Sequence, residues 1–211
     1  MRHRLSHLRR GPPWLPARIV GMTPLTLPMD KAAARLVVRT QRRARRAAAS
    51  DAQWAQLGAD LAAGLLTWLH GRTLPGVVAL YEALRTEPPT DALRDALAAQ
   101  GVRLLVPVLL ADKDLSWRDL ASGVDLGCDA IADAELILTP GLAVARGSGL
   151  RLGQGGGSYD RALSRARPGT PLVTVLFEDE LVEAVPAQPH DRAVDAVLTP
   201  SGGVAEVGRT V

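Results

Sequence analysis

From Asp30 onward the chain carries apolar residues at helical spacing. Ala32, Ala33, Leu36, Val37 and Ala44 fall among basic positions behind Asp30, a candidate N-cap. A second run, Trp54, Leu57, Leu61, Leu65 and Trp68, follows Asp51, another cap candidate, and its tryptophans read as core. Pro75-Gly76 then changes the pattern to short Val/Leu-rich runs, from Val77 to Tyr81, Arg103 to Leu110, Glu135 to Thr139, Leu172 to Phe177 and Ala193 to Thr199. A helix from Thr90 to Gln100, stopped by Gly101, separates the first two. The runs lack clean alternation, as strands buried on both faces of a parallel sheet do. The pattern predicts a three-layer α/β/α fold with a mainly parallel sheet, one domain over residues 30–211. Strand order is not legible, and no internal repeat is present.

Composition narrows this picture. At 211 residues and 47% hydrophobic, the chain is long enough for one well-buried domain. Its longest apolar stretch, Val102 to Ala111, is broken by Arg103 and Pro107 and is too short to span a bilayer, so no membrane role is expected. One cysteine, Cys128, excludes an internal disulfide, and the four histidines show no paired ligand spacing, which points to a reducing, cytoplasmic setting. Charge is uneven. Residues 1–46 hold twelve Lys/Arg and one Asp, while residues 47–211 hold thirteen Lys/Arg against twenty-one Asp/Glu. With Pro12, Pro13, Pro16, Pro24 and Pro28 and no periodicity, residues 1–29 read as a disordered basic tail, Met22 and Met29 being alternative starts. A nucleic-acid-binding arm is the less favoured reading, and monomer is the expected state.

Arg151-Leu152-Gly153-Gln154-Gly155-Gly156-Gly157-Ser158-Tyr159-Asp160-Arg161 is the segment richest in chemistry. Glycine lets backbone N–H groups approach a ligand closely, and successive amides form an anion-binding concavity. A helix expected from Tyr159 sets Asp160 beside that anion, where a carboxylate is suited to Mg²⁺, an ion that takes one or two carboxylates plus substrate phosphates. The alternative is a plain glycine turn with a chance Asp. Ser158-Tyr159 after the glycines excludes a P-loop, and the glycine spacing excludes the dinucleotide fingerprint. Lys31 and Arg35 lie at i and i+4, on one helical face.

These pieces together resemble the 5-formyltetrahydrofolate cyclo-ligase (methenyltetrahydrofolate synthetase) family. Arg151 to Asp160 matches its Arg-Leu-Gly-x-Gly-x-Gly-x-Tyr-Asp signature, and Leu136 to Ala143 its strand-Pro-Gly-Leu lead-in. His190-Asp191, Val194-Asp195 and Leu198-Thr199 are similar to its closing segment, Lys31 and Arg35 to a Lys-x-x-x-Arg pair, and Tyr81, Glu87 and Thr90 to a Tyr-x₅-Glu-x-x-Thr stretch. The resemblance implies an ATP- and Mg²⁺-dependent ligase that closes 5-formyltetrahydrofolate, polyglutamylated or not, to the 5,10-methenyl form. It implies ATP contacts from Lys31, Arg35, Arg151, Gly153, Gln154, Gly155, Gly156, Gly157, Ser158 and Tyr159, with Lys31, Arg151 and Asp160 catalytic. It implies substrate contacts from Leu84, Glu87, Gly156, Gly157 and Tyr159, and metal ligands in Asp160 and Asp191. Ser158 and Gln154 depart from the family's usual residues, and Leu110 to Asp133 lacks its Gly-x-x-Glu-Pro stretch. Those departures support a second reading, a relative that binds nucleotide without turnover.

Overall fold

A computed structural model describes residues 23–187 and 192–208. The expected α1 spans Lys31–Ala48 and starts where predicted, with Asp30 Oδ1 accepting from the Ala33 N–H at 2.8 Å. The second helix, α2 (Asp51–Leu69), is capped one residue earlier than expected. Ser50 and Gln53 form a reciprocal capping box, and Asp51 occupies the first turn, where its charge suits the helix dipole.

The remaining elements follow as β1 (Val77–Ala79), α3 (Asp91–Ala99), β2 (Arg103–Leu109), β3 (Leu115–Asp119), β4 (Leu136–Pro140), β5 (Ala143–Ala145), β6 (Arg151–Leu152), α4 (Ser158–Leu163), β7 (Leu172–Val175), β8 (Leu181–Val182), β9 (Ala196–Thr199) and β10 (Gly203–Glu206). Seven strands form the main sheet in the order β10-β9-β7-β4-β1-β2-β3. The five strands from β9 to β2 run parallel, and β3 and β10 close the edges antiparallel. A small sheet, β6-β5-β8, lies apart.

Both sheet faces are covered, which explains the unbroken apolar runs. Val78, Leu104, Leu136, Leu138, Val173 and Leu198 pack with Leu61, Leu65, Leu93 and Leu97 of α2 and α3. Their alternating neighbours Ala79, Leu105, Ile137 and Val197 pack on the other side with Ile131, Ala162 and Leu163. Helix α1 instead covers the small sheet, Ala34 and Val38 meeting Ala143, Leu152 and Val182.

The chain before α1 differs from the expected free tail over its described part. Leu25 N–H donates to Asp179 O at 2.8 Å, and Leu25 and Leu27 pack half-buried beside Val182 and Val185. Replacing both leucines by alanine is expected to lower Tm by about 4–8 °C in a thermal melt. Two half-buried leucines contribute about 2 kcal/mol, and a domain of this size moves about 2–4 °C per kcal/mol.

Candidate active site

Strand order fixes where a ligand can enter. The chain leaves β1 for β2 on one side and later returns to β4 on the other, so the loops after these strands diverge. In open α/β sheets ligands bind in that crevice, at the carboxyl ends of the strands. A cavity of about 770 Å³ lies here. Tyr81, Glu82, Leu84 and Glu87 enter it after β1, Pro107 and Leu109 from β2, and Pro140 from the end of β4. Lys31 and Arg35 reach it from α1, and Arg151 to Asp160 supply the facing wall.

Every sequence-predicted site residue among the described ones therefore lines one cavity. Asp191, with His190, lies outside the described residues. Asp160 remains as a half-exposed carboxylate at the cavity wall, and among the described residues no three His, Cys, Asp or Glu side chains gather around a metal position. One carboxylate fits Mg²⁺ brought in with substrate phosphates, which complete the coordination themselves.

The glycine loop joins β6 to α4. Gly155 and Gly157 take φ of +109° and +70°, conformations L side chains rarely adopt, while Gly156 does not need a positive φ. A Cβ at Gly155 would also meet the Arg35 guanidinium carbon at 3.3 Å. Arg35 Nε donates to Gly153 O at 2.9 Å, and Arg39 Nη2 donates to Gln154 O at 2.8 Å. Two arginines one helical turn apart thus hold two of the loop's carbonyls. Arg39 was not predicted as a site residue. The i, i+4 spacing from Lys31 to Arg35, extended one more turn, would have found it.

Arg151 lines the cavity, as expected. Its Nη1 donates to Pro140 O at 2.9 Å and its Nη2 to Asp160 Oδ1 at 2.9 Å, so the fork is turned inward and braces the strand ends against the loop. The residue is buried and its Nε has no partner among the described residues. Gly141, next to Pro140, is required by close approach. A Cβ there would lie 2.6 Å from Thr174 Cγ2.

The loop after β1 is closed on itself by Thr90, whose hydroxyl donates to Tyr81 O at 3.0 Å and accepts from the Ala83 N–H at 3.2 Å. That closure presents Glu87, 4% exposed, with Oε2 accepting from the Leu84 N–H at 3.0 Å and Oε1 from Gln154 Nε2 at 2.9 Å. The Tyr81 and Tyr159 hydroxyls are buried nearby without hydrogen-bond partners among the described residues. Burial, with Glu87 adding to it, raises both phenols above their ordinary range, so both stay neutral donors. Strand β3 lies in the stretch that lacks Gly-x-x-Glu-Pro and pairs antiparallel with β2, and Pro107, Leu109 and Leu115 of this hairpin form an apolar wall; Leu109 and Leu84 are each 66% exposed. Neither β3 nor this wall was predicted.

The fold is that of an α/β protein with a cavity at the carboxyl ends of its parallel strands. The chain belongs to the 5-formyltetrahydrofolate cyclo-ligase family, whose model matches residues 31–200. A 5-formyltetrahydrofolate cyclo-ligase from Mycolicibacterium smegmatis is 37% identical over 163 residues, covering 68% of this chain and 84% of the relative. A mitochondrial 5-formyltetrahydrofolate cyclo-ligase from Arabidopsis thaliana is 39% identical over 80 residues, 33% of this chain and 28% of the relative. In fold the chain is similar to 5,10-methenyltetrahydrofolate synthetases from Mycoplasma pneumoniae (TM-score 0.65, 21% identity, 79% of this chain and 98% of that one) and Aquifex aeolicus (TM-score 0.59, 21% identity, 84% and 95%). No helix among the described residues is long and apolar enough to cross a membrane.

Proposed function

We propose that the protein cyclises 5-formyltetrahydrofolate to 5,10-methenyltetrahydrofolate, consuming ATP and releasing ADP and phosphate. The observation that carries this reading is the convergence, around one 770 Å³ cavity, of a basic helix face, a glycine loop, a half-exposed carboxylate and a buried acceptor. The polyphosphate lies along Lys31 and Arg35 and against the loop amides from Gly153 to Gly157, where opposed charge and backbone donors hold it. Asp160, with Asp191 as a second ligand, would hold Mg²⁺, which would supply charge neutralisation at the transferring phosphoryl group.

The pterin ring lies toward Glu87, whose acceptor oxygens suit ring N–H donors, with Tyr81 and Tyr159 lining the same part of the cavity. Leu84, Leu109 and Pro107 cover the apolar part of the substrate. In this arrangement the formyl oxygen attacks the γ-phosphorus and ADP leaves. N10 then adds to the activated carbon and gives up its proton to solvent, and phosphate departs as the ring closes. The protein's part is positioning and electrostatic stabilisation.

Mixing the protein with 5-formyltetrahydrofolate, Mg²⁺ and ATP should produce the near-ultraviolet absorbance of the methenyl product. Binding of a non-hydrolysable ATP analogue without that absorbance would reject the ligase reading in favour of a nucleotide-binding relative. Lys31→Ala should raise the KM for ATP about tenfold or more and leave that for folate within about twofold, since a charge-assisted contact contributes about 1.5–3 kcal/mol. The reverse pattern would remove Lys31 from the phosphates.

A further inference from the structure

Gln154 touches both sides of the cavity. Its Nε2 donates to Glu87 Oε1 at 2.9 Å, across a sequence separation of 67 residues. Its Oε1 accepts from Arg39 Nη2 at 3.0 Å and Nε at 3.2 Å, and its backbone carbonyl accepts from Arg39 Nη2 at 2.8 Å. The preceding carbonyl, Gly153 O, is held by Arg35 Nε. One side chain therefore ties the glycine loop and the basic helix face to the buried carboxylate opposite.

Its amide also stands where a ligand's N–H must stand. A ring that donates to Glu87 Oε1 meets the Gln154 amide already on that oxygen and competes with it. An anion that engages Arg35 competes with Gly153 O for that guanidinium and so loosens the segment that carries Gln154. Either ligand alone weakens the same contact, and the second then finds it weakened.

We infer that Gln154 is a positioning residue acting as a latch across the cavity, through which occupancy of the Glu87 side and of the glycine loop favour one another. This rests on the proposed folate and nucleotide subsites. A coupling of this kind is reciprocal, so each ligand tightens the other by the same factor.

The test is calorimetric titration of the whole protein with 5-formyltetrahydrofolate and with a non-hydrolysable ATP analogue plus Mg²⁺, each alone and each with the other present. Gln154→Met keeps side-chain length and removes the amide. The parent should show a mutual tightening of at least about fivefold, the low end of ordinary coupling. Gln154→Met should bind folate alone several-fold more tightly than the parent, and its mutual tightening should fall to within about twofold of none. Unchanged coupling, or weaker folate binding by the variant, would overturn the latch and make Gln154 a simple ligand contact. A parent that binds the nucleotide analogue but no folate would instead overturn the substrate reading and the latch with it. Thermal melts of the ligand-free Gln154→Met, Glu87→Gln and double variants give an independent arm. Non-additive Tm changes support the contact, and strict additivity counts against it.

Discussion

Asp160→Asn is expected to lower kcat by about a hundredfold or more at limiting Mg²⁺ while leaving Tm within a few degrees of the parent. The asparagine oxygen can still accept from Arg151 Nη2, the 2.9 Å bond that braces the loop, so the substitution removes charge and spares the geometry. The ion pair itself adds little to stability, because more than a third of the Asp160 side chain is open to solvent. A neutral amide is a poorer ligand for a divalent cation among phosphate oxygens than a carboxylate. Loss of charge stabilisation at a transferring phosphoryl group is ordinarily large, several kcal/mol. Raising Mg²⁺ should restore part of the lost rate. Equal kcat for variant and parent across the Mg²⁺ titration would show that Asp160 only orients Arg151.

Much of this site was legible in the sequence because glycine and charge spacing are local signals. The run from Gly153 to Gly157 permits the two positive φ values at Gly155 and Gly157, and Lys31 to Arg35 is one helical turn. The central strands were legible for a different reason. Their two covered faces leave no polar position, as in Val78, Ala79 and Leu80. Strand β3 defeats that signal, since Ser116, Arg118 and Asp119 break the apolar run and pairing with β2 alone defines it. Strands β6 and β8, two residues each, are shorter than any periodicity can register. The inward turn of Arg151 was also hidden, because its acceptor Pro140 O is brought to it by tertiary packing.

The least legible feature is the set of ion pairs beneath the site. Arg42 reads as one of many bases on an exposed helix face, and nothing local says that Glu178, Asp179 and Glu180 are buried. In the fold, Arg42 Nε and Nη2 grip both oxygens of Glu180 at 2.7 and 2.8 Å, with the two side chains 1% and 0% exposed. Arg42 Nη2 also donates to Gly141 O at 2.6 Å, and Arg45 Nη2 holds both oxygens of Asp179 at 2.8 Å. Glu180 Oε2 accepts from the Phe177 N–H at 3.0 Å, and the Arg45 guanidinium lies 4.1 Å from the Phe177 ring centre. These contacts pin α1, and with it Lys31, Arg35 and Arg39, to the turn after β4 and the segment before β8.

Removing one partner leaves the other charge buried and uncompensated, which costs about 3–5 kcal/mol. Glu180→Ala is therefore expected to lower Tm by about 6–20 °C, on the scale of 2–4 °C per kcal/mol for a domain of this size. The surviving folded fraction should bind ATP more weakly, because α1 loses the anchor that sets its basic face against the glycine loop. Replacing both partners, Arg42→Met with Glu180→Leu, removes the stranded charge and should recover much of the lost stability. It should not recover nucleotide affinity, since the bond to Gly141 O goes with the arginine. Denaturant melts of the two singles and the double, with calorimetric titration of each, separate these effects. A double variant no more stable than Glu180→Ala would show that the pair itself, and not the uncompensated charge, carries the stability. Unchanged nucleotide affinity in that variant would show that α1 keeps its position without the pin.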